Sequence, residues 1–171
     1  MILPQDHPTQ LTIEGLLESC TVKRTRGSGP GGQHRNKVET AIVITHTPTG
    51  VVGQASEKRS QKQNRDMAIE RLRLNLALAV RSAVDTDSAP SQRWIGRVKA
   101  KKISVSPSHF DYAVLIAEAL DFTANEAFDV SAAAKRMGVS TSQLVKLLKT
   151  CQPAFEMVNR ERVSRELHRL G

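Results

Sequence analysis

Apolar positions follow two different rhythms along the chain. Between residues 39 and 46 they are β-branched and nearly continuous (Ala41, Ile42, Val43, Ile44), which predicts a strand. Thr47, Pro48, Thr49 and Gly50 follow, with Pro second and Gly fourth in a turn, and residues 51–55 return. The stretch 39–55 therefore predicts an antiparallel hairpin. After residue 60 the period changes: Ile69, Leu72, Leu76, Val80 and Ala83 recur at spacings of three and four, the stripe of a helix running to about residue 83. Ser60 and Gln63 at its head have capping-box spacing, in which a hydroxyl and an amide satisfy the orphan backbone donors of a helix start. Upstream, Ile13, Leu16 and Leu17 predict a short helix over 12–19, and residues 21–24 a short strand.

Helical patterns dominate the remainder. Residues 85–91 are polar with a proline, and 92–104 carry Arg93, Arg97, Lys99, Lys101 and Lys102. A helix is predicted from Ser106, with Pro107 at its first position, to about residue 120. Thr123 and Glu126 have the spacing of a second capping box, Asp129 can cap a helix to residue 137, and Ser140 with Gln143 opens another to residue 149. Pro153 reads as a break before a last helix over 154–170. Ala134, Gly138 and Leu144 fall where a helix-turn-helix places a small residue, a turn glycine and a core aliphatic; an ordinary helical hairpin fits equally well. The expected class is α+β: a small mixed or antiparallel sheet with a β-hairpin and a long packing helix, followed by a small all-helical domain. The expected divisions are a first domain over 1–88, a basic linker over 89–104 and a helical, helix-turn-helix-like domain over 105–171.

Charge narrows the choice of partner. The net charge is +8, and its excess is concentrated: residues 21–102 hold 17 Lys and Arg against 6 Asp and Glu, whereas 103–171 hold eight of each sign. A concentrated basic segment is the footprint of nucleic-acid binding. Aromatics at 4% argue against an aromatic-lined pocket for an organic cofactor. Cys20 and Cys151 read as core residues and set up no disulfide framework. No Cys or His set has zinc spacing, so neither a metal nor a cofactor is expected. With no apolar run long enough to span a bilayer and no secretory pattern at the N-terminus, the expectation is a cytoplasmic monomer without a membrane partner.

The chemistry gathers in the run RGSGPGGQHRNK at 26–37, with four glycines among residues 27–32. Such a composition predicts an exposed loop whose backbone can approach a ligand closely and donate successive N–H groups to an oxyanion or a phosphate. Arg24, Arg26, Arg35 and Lys37 flank it. Neither a P-loop nor a Rossmann glycine pattern is present, and glycines alone would leave a plain flexible loop as the simpler reading.

The order of residues makes the loop specific. Gly31, Gly32 and Gln33, set between Ser28 and Lys37, resemble the GGQ loop of class I peptide chain release factors and related ribosome-rescue factors. The run EKRSQKQN at 57–64 resembles the segment that follows the hairpin in that domain, so the resemblance covers about residues 16–82. It implies a domain that enters the peptidyl-transferase centre of the large ribosomal subunit, with rRNA and peptidyl-tRNA as partners, and promotes hydrolysis of the peptidyl-tRNA ester. Carried over, Gly31 and Gly32 allow the required backbone shape, and the Gln33 backbone N–H would stabilise the leaving oxygen or tetrahedral oxyanion while its side chain positions water. Arg24, Arg26, Ser28, Arg35, Asn36, Lys37, Lys58, Arg59, Gln61, Lys62, Asn64 and Arg65 would contact RNA, with Asn36 and Lys37 also suited to holding the loop base. His34 reads as an RNA contact or an exposed side chain, not a general base. Full-length members of the family are about twice as long and read the stop codon with a separate region. A loop beginning by residue 27 of 171 leaves no room for it, so the expected activity is codon-independent ribosome rescue. The rivals are a non-catalytic ribosome- or RNA-binding factor and a DNA-binding regulator acting through the C-terminal helices; in the rescue reading those helices would instead meet a protein or RNA partner.

Overall fold

A computed structural model describes residues 2–3, 7–25, 40–85 and 88–171. These form two compact units, one over residues 8–79 and one joining the N-terminal residues 2–7 to 80–171.

The first unit is a three-stranded antiparallel sheet with one long helix on it. After a 3-10 turn (Pro8–Gln10), helix α1 (Ile13–Glu18) leads into β2 (Cys20–Thr25); β3 (Ala41–His46) and β4 (Val52–Ala55) complete the order β2-β3-β4. Strand β1 (Ile2–Leu3) belongs to the second unit. Thr25 pairs with Ala41 and Cys20 with His46, while Ile42 pairs with Ala55 and Ile44 with Gly53. The expected hairpin is therefore present, with Gly50 at φ +70° closing its turn. Helix α2 (Gln61–Ala79) packs on β3 and β4, burying Ala68, Ile69, Leu72 and Leu76 against Ile42, Ile44 and Ala55. Gly53 sets the spacing. A Cβ there would lie 2.2 Å from the Ala68 carbonyl oxygen and 2.4 Å from the Leu72 nitrogen, so only glycine lets the helix come this close. Side chains of α2 also cover the outer edge of β4: Arg71 Nη1 donates to the Gln54 carbonyl at 2.8 Å and Asn75 Nδ2 to the Val52 carbonyl at 2.7 Å.

α2 ends at Ala79, short of the expected residue 83, because Arg81 and Ser82 become strand β5, which pairs in parallel with β1. The second unit continues with α3 (Gln92–Arg97), a two-residue hairpin of β6 (Val98–Lys99) and β7 (Lys102–Ile103), and helices α4 (Tyr112–Asn125), α5 (Val130–Arg136), α6 (Thr141–Thr150) and α7 (Gln152–Val163). The segment 89–104, expected as a linker, folds into this unit. Trp94 is fully buried and its indole N–H donates to the Met137 carbonyl at 2.8 Å. Helix α4 starts at Tyr112 instead of Ser106, because Arg97 donates to Asp111 at 2.8 Å and the Asp111 backbone N–H donates to His109 Nδ1 at 3.0 Å, which holds 106–111 in turns. It then runs to Asn125 through a buried Thr123, so the second capping box does not form. Residues 112–123 are all buried, which makes α4 the unit's central helix. Pro153 lies in the first turn of α7, where a missing N–H costs nothing, and the helix stops at Val163. The tail folds back instead of continuing: the Leu170 N–H donates to Asn159 Oδ1 at 2.7 Å and Arg162 Nε to the His168 carbonyl at 2.8 Å.

Asp129 caps α5 by accepting from the Ser131 and Ala132 N–H groups, and Ser140 caps α6 by accepting from the Gln143 N–H. Between these helices Gly138 sits at φ +68°, and Ala134 and Leu144 are buried.

Candidate functional site

The residues expected to act on the reacting ester, Gly31, Gly32 and Gln33, lie outside the described residues, as do Arg26, Ser28, Arg35, Asn36 and Lys37. The described residues on either side are Thr25, at the end of β2, and Thr40, just before β3; the pairing of Thr25 with Ala41 holds these two points side by side.

Asn64 anchors this root. Its side chain is fully buried and every hydrogen-bonding direction toward the chain is used. Oδ1 accepts from the Lys58 backbone N–H at 2.9 Å, while Nδ2 donates to the Thr40 carbonyl at 2.7 Å and to the Lys58 carbonyl at 2.9 Å. One amide thus ties the first turn of α2 to the turn at 57–60 and to the returning strand. Asn64, one of the residues expected to contact RNA, is thus buried in this clamp with both N–H donors and its oxygen bonded within the chain. Thr40, which sequence reasoning passed over, is its partner; no local signal marks it.

The basic residues expected around the loop collect at the same end of the sheet. Lys58 and Arg59 lie on the turn, and Lys62 and Arg65 on the first two turns of α2; all four are exposed. None of them takes part in an ion pair among the described residues. Gln61 is half-buried beside them. Arg24 is exposed on β2 and, paired with Ile42, shares the sheet face that α2 covers; α2 packs on β3 and β4, leaving Arg24 at the uncovered margin. Of the acids at 57–66, Glu57 is paired with Arg71 at 2.7 Å, which holds it below the usual carboxylate range, and Asp66 is exposed. The result is a rim of cations around the root of a glycine-rich segment, a surface suited to a folded polyanion.

Other titratable groups of this unit are structural. His46 is buried, its Nδ1 lies 2.7 Å from the Thr49 hydroxyl, and burial lowers its pKa. The Cys20 thiol donates to the Leu16 carbonyl at 3.2 Å and burial raises its pKa. Among the described residues no group of three or more His, Cys, Asp or Glu could hold a metal ion, and no helix is long and apolar enough to cross a membrane.

Comparison with known proteins places the sequence beside the geometry. Residues 11–109 match the family of the RF-1 domain, a range that runs through the first unit and on through α3 and the β6–β7 hairpin of the second. Among curated relatives, a peptide chain release factor 2 of Staphylococcus saprophyticus is 44% identical over 75 residues, which is 44% of this chain and 20% of that protein. A peptide chain release factor 1 of Xylella fastidiosa is 50% identical over 68 residues, 40% of this chain and 19% of its own length. A mitochondrial protein named peptide chain release factor 1-like, from Rattus norvegicus, is 39% identical over 75 residues, again 20% of its length. The chain thus matches about a fifth of the length of each.

Proposed function

The chain belongs to the RF-1 domain family, and from that membership we propose that it is a release-factor-like protein which promotes hydrolysis of the ester between nascent peptide and tRNA on the large ribosomal subunit. The observation that carries this reading is the match of residues 11–109 to the family. The rim of Arg24, Lys58, Arg59, Lys62 and Arg65 around the root of the 26–39 segment supports it, since rRNA is the polyanion such a domain would meet.

In this reading water attacks the ester carbonyl carbon, the bond from that carbon to the tRNA 3′ oxygen breaks, and a proton passes to the departing oxygen. The Gln33 backbone N–H stabilises the charge that builds on the leaving or tetrahedral oxygen, and the Gln33 side chain orients the water. Gly31 and Gly32 permit the backbone shape. Arg26, Ser28, Arg35, Asn36 and Lys37 hold the segment against RNA. The ribosome supplies the rest of the centre, so the free protein is nearly inert and works where ribosomes are, in the cytoplasm. We further propose that release is independent of a stop codon, as in ribosome rescue. That step rests on the resemblance of the loop string at 26–37 to the loop of ribosome-rescue factors as well as of release factors.

The test is release of labelled peptide from ribosomes carrying peptidyl-tRNA, with and without a codon in the A site. Gly32→Ala is expected to abolish release while leaving ribosome binding intact. Full release by that variant would overturn the catalytic reading, and dependence on a stop codon would overturn the rescue reading.

A further inference from the structure

We propose that the β6–β7 hairpin and the solvent face of α6 in the second unit form one binding surface for the backbone of duplex RNA, separate from the rim around the 26–39 segment. The hairpin is built against local preference. Its two turn residues, Ala100 at φ +47° and Lys101 at φ +61°, are both in the left-handed region, where a two-residue turn of this kind ordinarily carries Asn or Gly. Lys99 and Lys102 are paired directly across the two strands, so like charges share one face of the hairpin. Both features cost stability, and both sit at an exposed tip.

That tip is fixed to the start of α6. The Ser140 backbone N–H, at the start of α6, donates to the Lys101 carbonyl at 3.1 Å, and β7 packs on α6. From there the exposed residues of α6 are Thr141, Ser142, Lys146, Lys149 and Thr150. Lys146 lies about 9 Å along the helix from Ser140 at about 1.5 Å per residue. Residues 98–103 and 140–150 together contain five Lys and no Arg, Asp or Glu. Lys99, Lys101, Lys102 and Lys146 enter no ion pair among the described residues. Five acids of this unit are engaged elsewhere: Asp111 with Arg97, Glu118 with Ser91, Asp121 with Arg81, Glu126 with Arg136 and Asp129 in the α5 cap. Counted with the hairpin, residues 80–171 hold 14 Lys and Arg against 10 Asp and Glu, where 103–171 alone balance.

The chemistry of the surface selects the partner. Its exposed groups are ammonium ions and hydroxyls; it offers no Arg, Asn or acid to read base edges in a DNA major groove, and no aromatic ring to stack single-stranded bases. Ammonium and hydroxyl groups suit the phosphates and 2′-hydroxyls through which duplex RNA is recognised. A ribosomal RNA helix would be the occupant if the reading given above holds, and the inference rests on that reading only for where such RNA is met.

The experiment uses the full chain, a fluorescein-labelled 20-base-pair RNA duplex and fluorescence anisotropy over a range of salt. The Lys99→Gln, Lys102→Gln double variant is expected to bind about tenfold more weakly, with the slope of log affinity against log salt shallower by about 2. It should also melt about 1–2 °C higher by Trp94 fluorescence, because the like-charged pair is gone. Ala100→Asn, which relieves the turn and keeps every lysine, should raise the melting point and leave RNA affinity unchanged. Unaltered affinity in the double variant, a loss of affinity that only tracks loss of folding, or tighter binding to a DNA duplex of the same sequence would overturn the proposal. Peptide release by Gly32→Ala is scored separately, so failure here and failure of the release reading are distinguishable.

Discussion

Replacing Asn64 tests whether the root of the 26–39 segment is held as the structure shows. Asn64→Ala removes three hydrogen bonds of 2.7–2.9 Å and strands one N–H and two carbonyls. Lys58 is exposed and Thr40 half-buried, so water can reach the abandoned groups, and each bond counts near the middle of the usual net range, about 1 kcal/mol. The expected loss is about 3 kcal/mol. Asn64→Asp should be worse near neutral pH. One oxygen could still accept from Lys58, but the other would face the Thr40 and Lys58 carbonyls with no proton between them. The buried carboxyl must then take up a proton in the folded state, which raises its pKa above the unfolded value. A raised folded pKa means stability that is present at low pH and lost as pH rises through that pKa. The aspartate variant should therefore gain on the parent protein between pH 7 and 4. Urea denaturation followed by far-ultraviolet circular dichroism measures the first effect, and its repetition across pH the second. Amide exchange in peptides spanning 57–79 localises both. An alanine variant within about 0.5 kcal/mol of the parent, or an aspartate variant with the parent's pH profile, would refute the clamp.

Gly53→Ala should cost about 3 kcal/mol, since its new carbon meets helix backbone, whereas Gly50→Ala, at φ +70° in open space, should cost only about 1 kcal/mol of turn strain; equal effects in a denaturation series would contradict the packing. In the second unit His7 donates to the Val80 carbonyl at 3.2 Å and burial lowers its pKa to about 4, so its contribution is full above 6.5 and is lost as pH falls through 4. Asp121 is opposite in sign: burial raises it to about 6 against the pull of Arg81, so its contribution is full below 3.8 and is lost as pH rises through 6. The two offset each other between pH 4 and 6. Asp121→Asn should expose the His7 loss, on the order of 3 kcal/mol on acidification from pH 6.5 to 4, and His7→Gln should reverse the slope, both read by Trp94 fluorescence in urea; parallel profiles for the two variants would rule out the opposition. Asp129→Ala should cost about 1 kcal/mol through loss of the α5 cap, measured as a fall in denaturation midpoint without a change in slope.

What reads correctly from the chain alone is what neighbouring residues decide. The β-branched run at 41–46, the Pro48 and Gly50 turn, the apolar stripe of α2 and the caps at Asp129 and Ser140 all act over a few residues, and each appears where its pattern puts it. The loop string at 26–37 and the basic run at 57–64 carried the family, and residues 11–109 match it.

Other assignments turned on partners far away in sequence. Asn64 looks like one more polar residue in a basic run, yet its amide closes on Thr40, 24 positions earlier. The lysine-rich stretch at 92–104 has a linker's composition, yet Trp94 docks on the Met137 carbonyl, 43 positions later, and draws the stretch into the second unit. Gly53 looked like a weak point in a strand until a helix lay against it. Local propensity is settled within a turn or two of backbone. Whether a polar or charged residue faces water or a buried partner depends on which distant atoms the folded chain brings within about 3 Å, and no periodicity in the sequence encodes that distance.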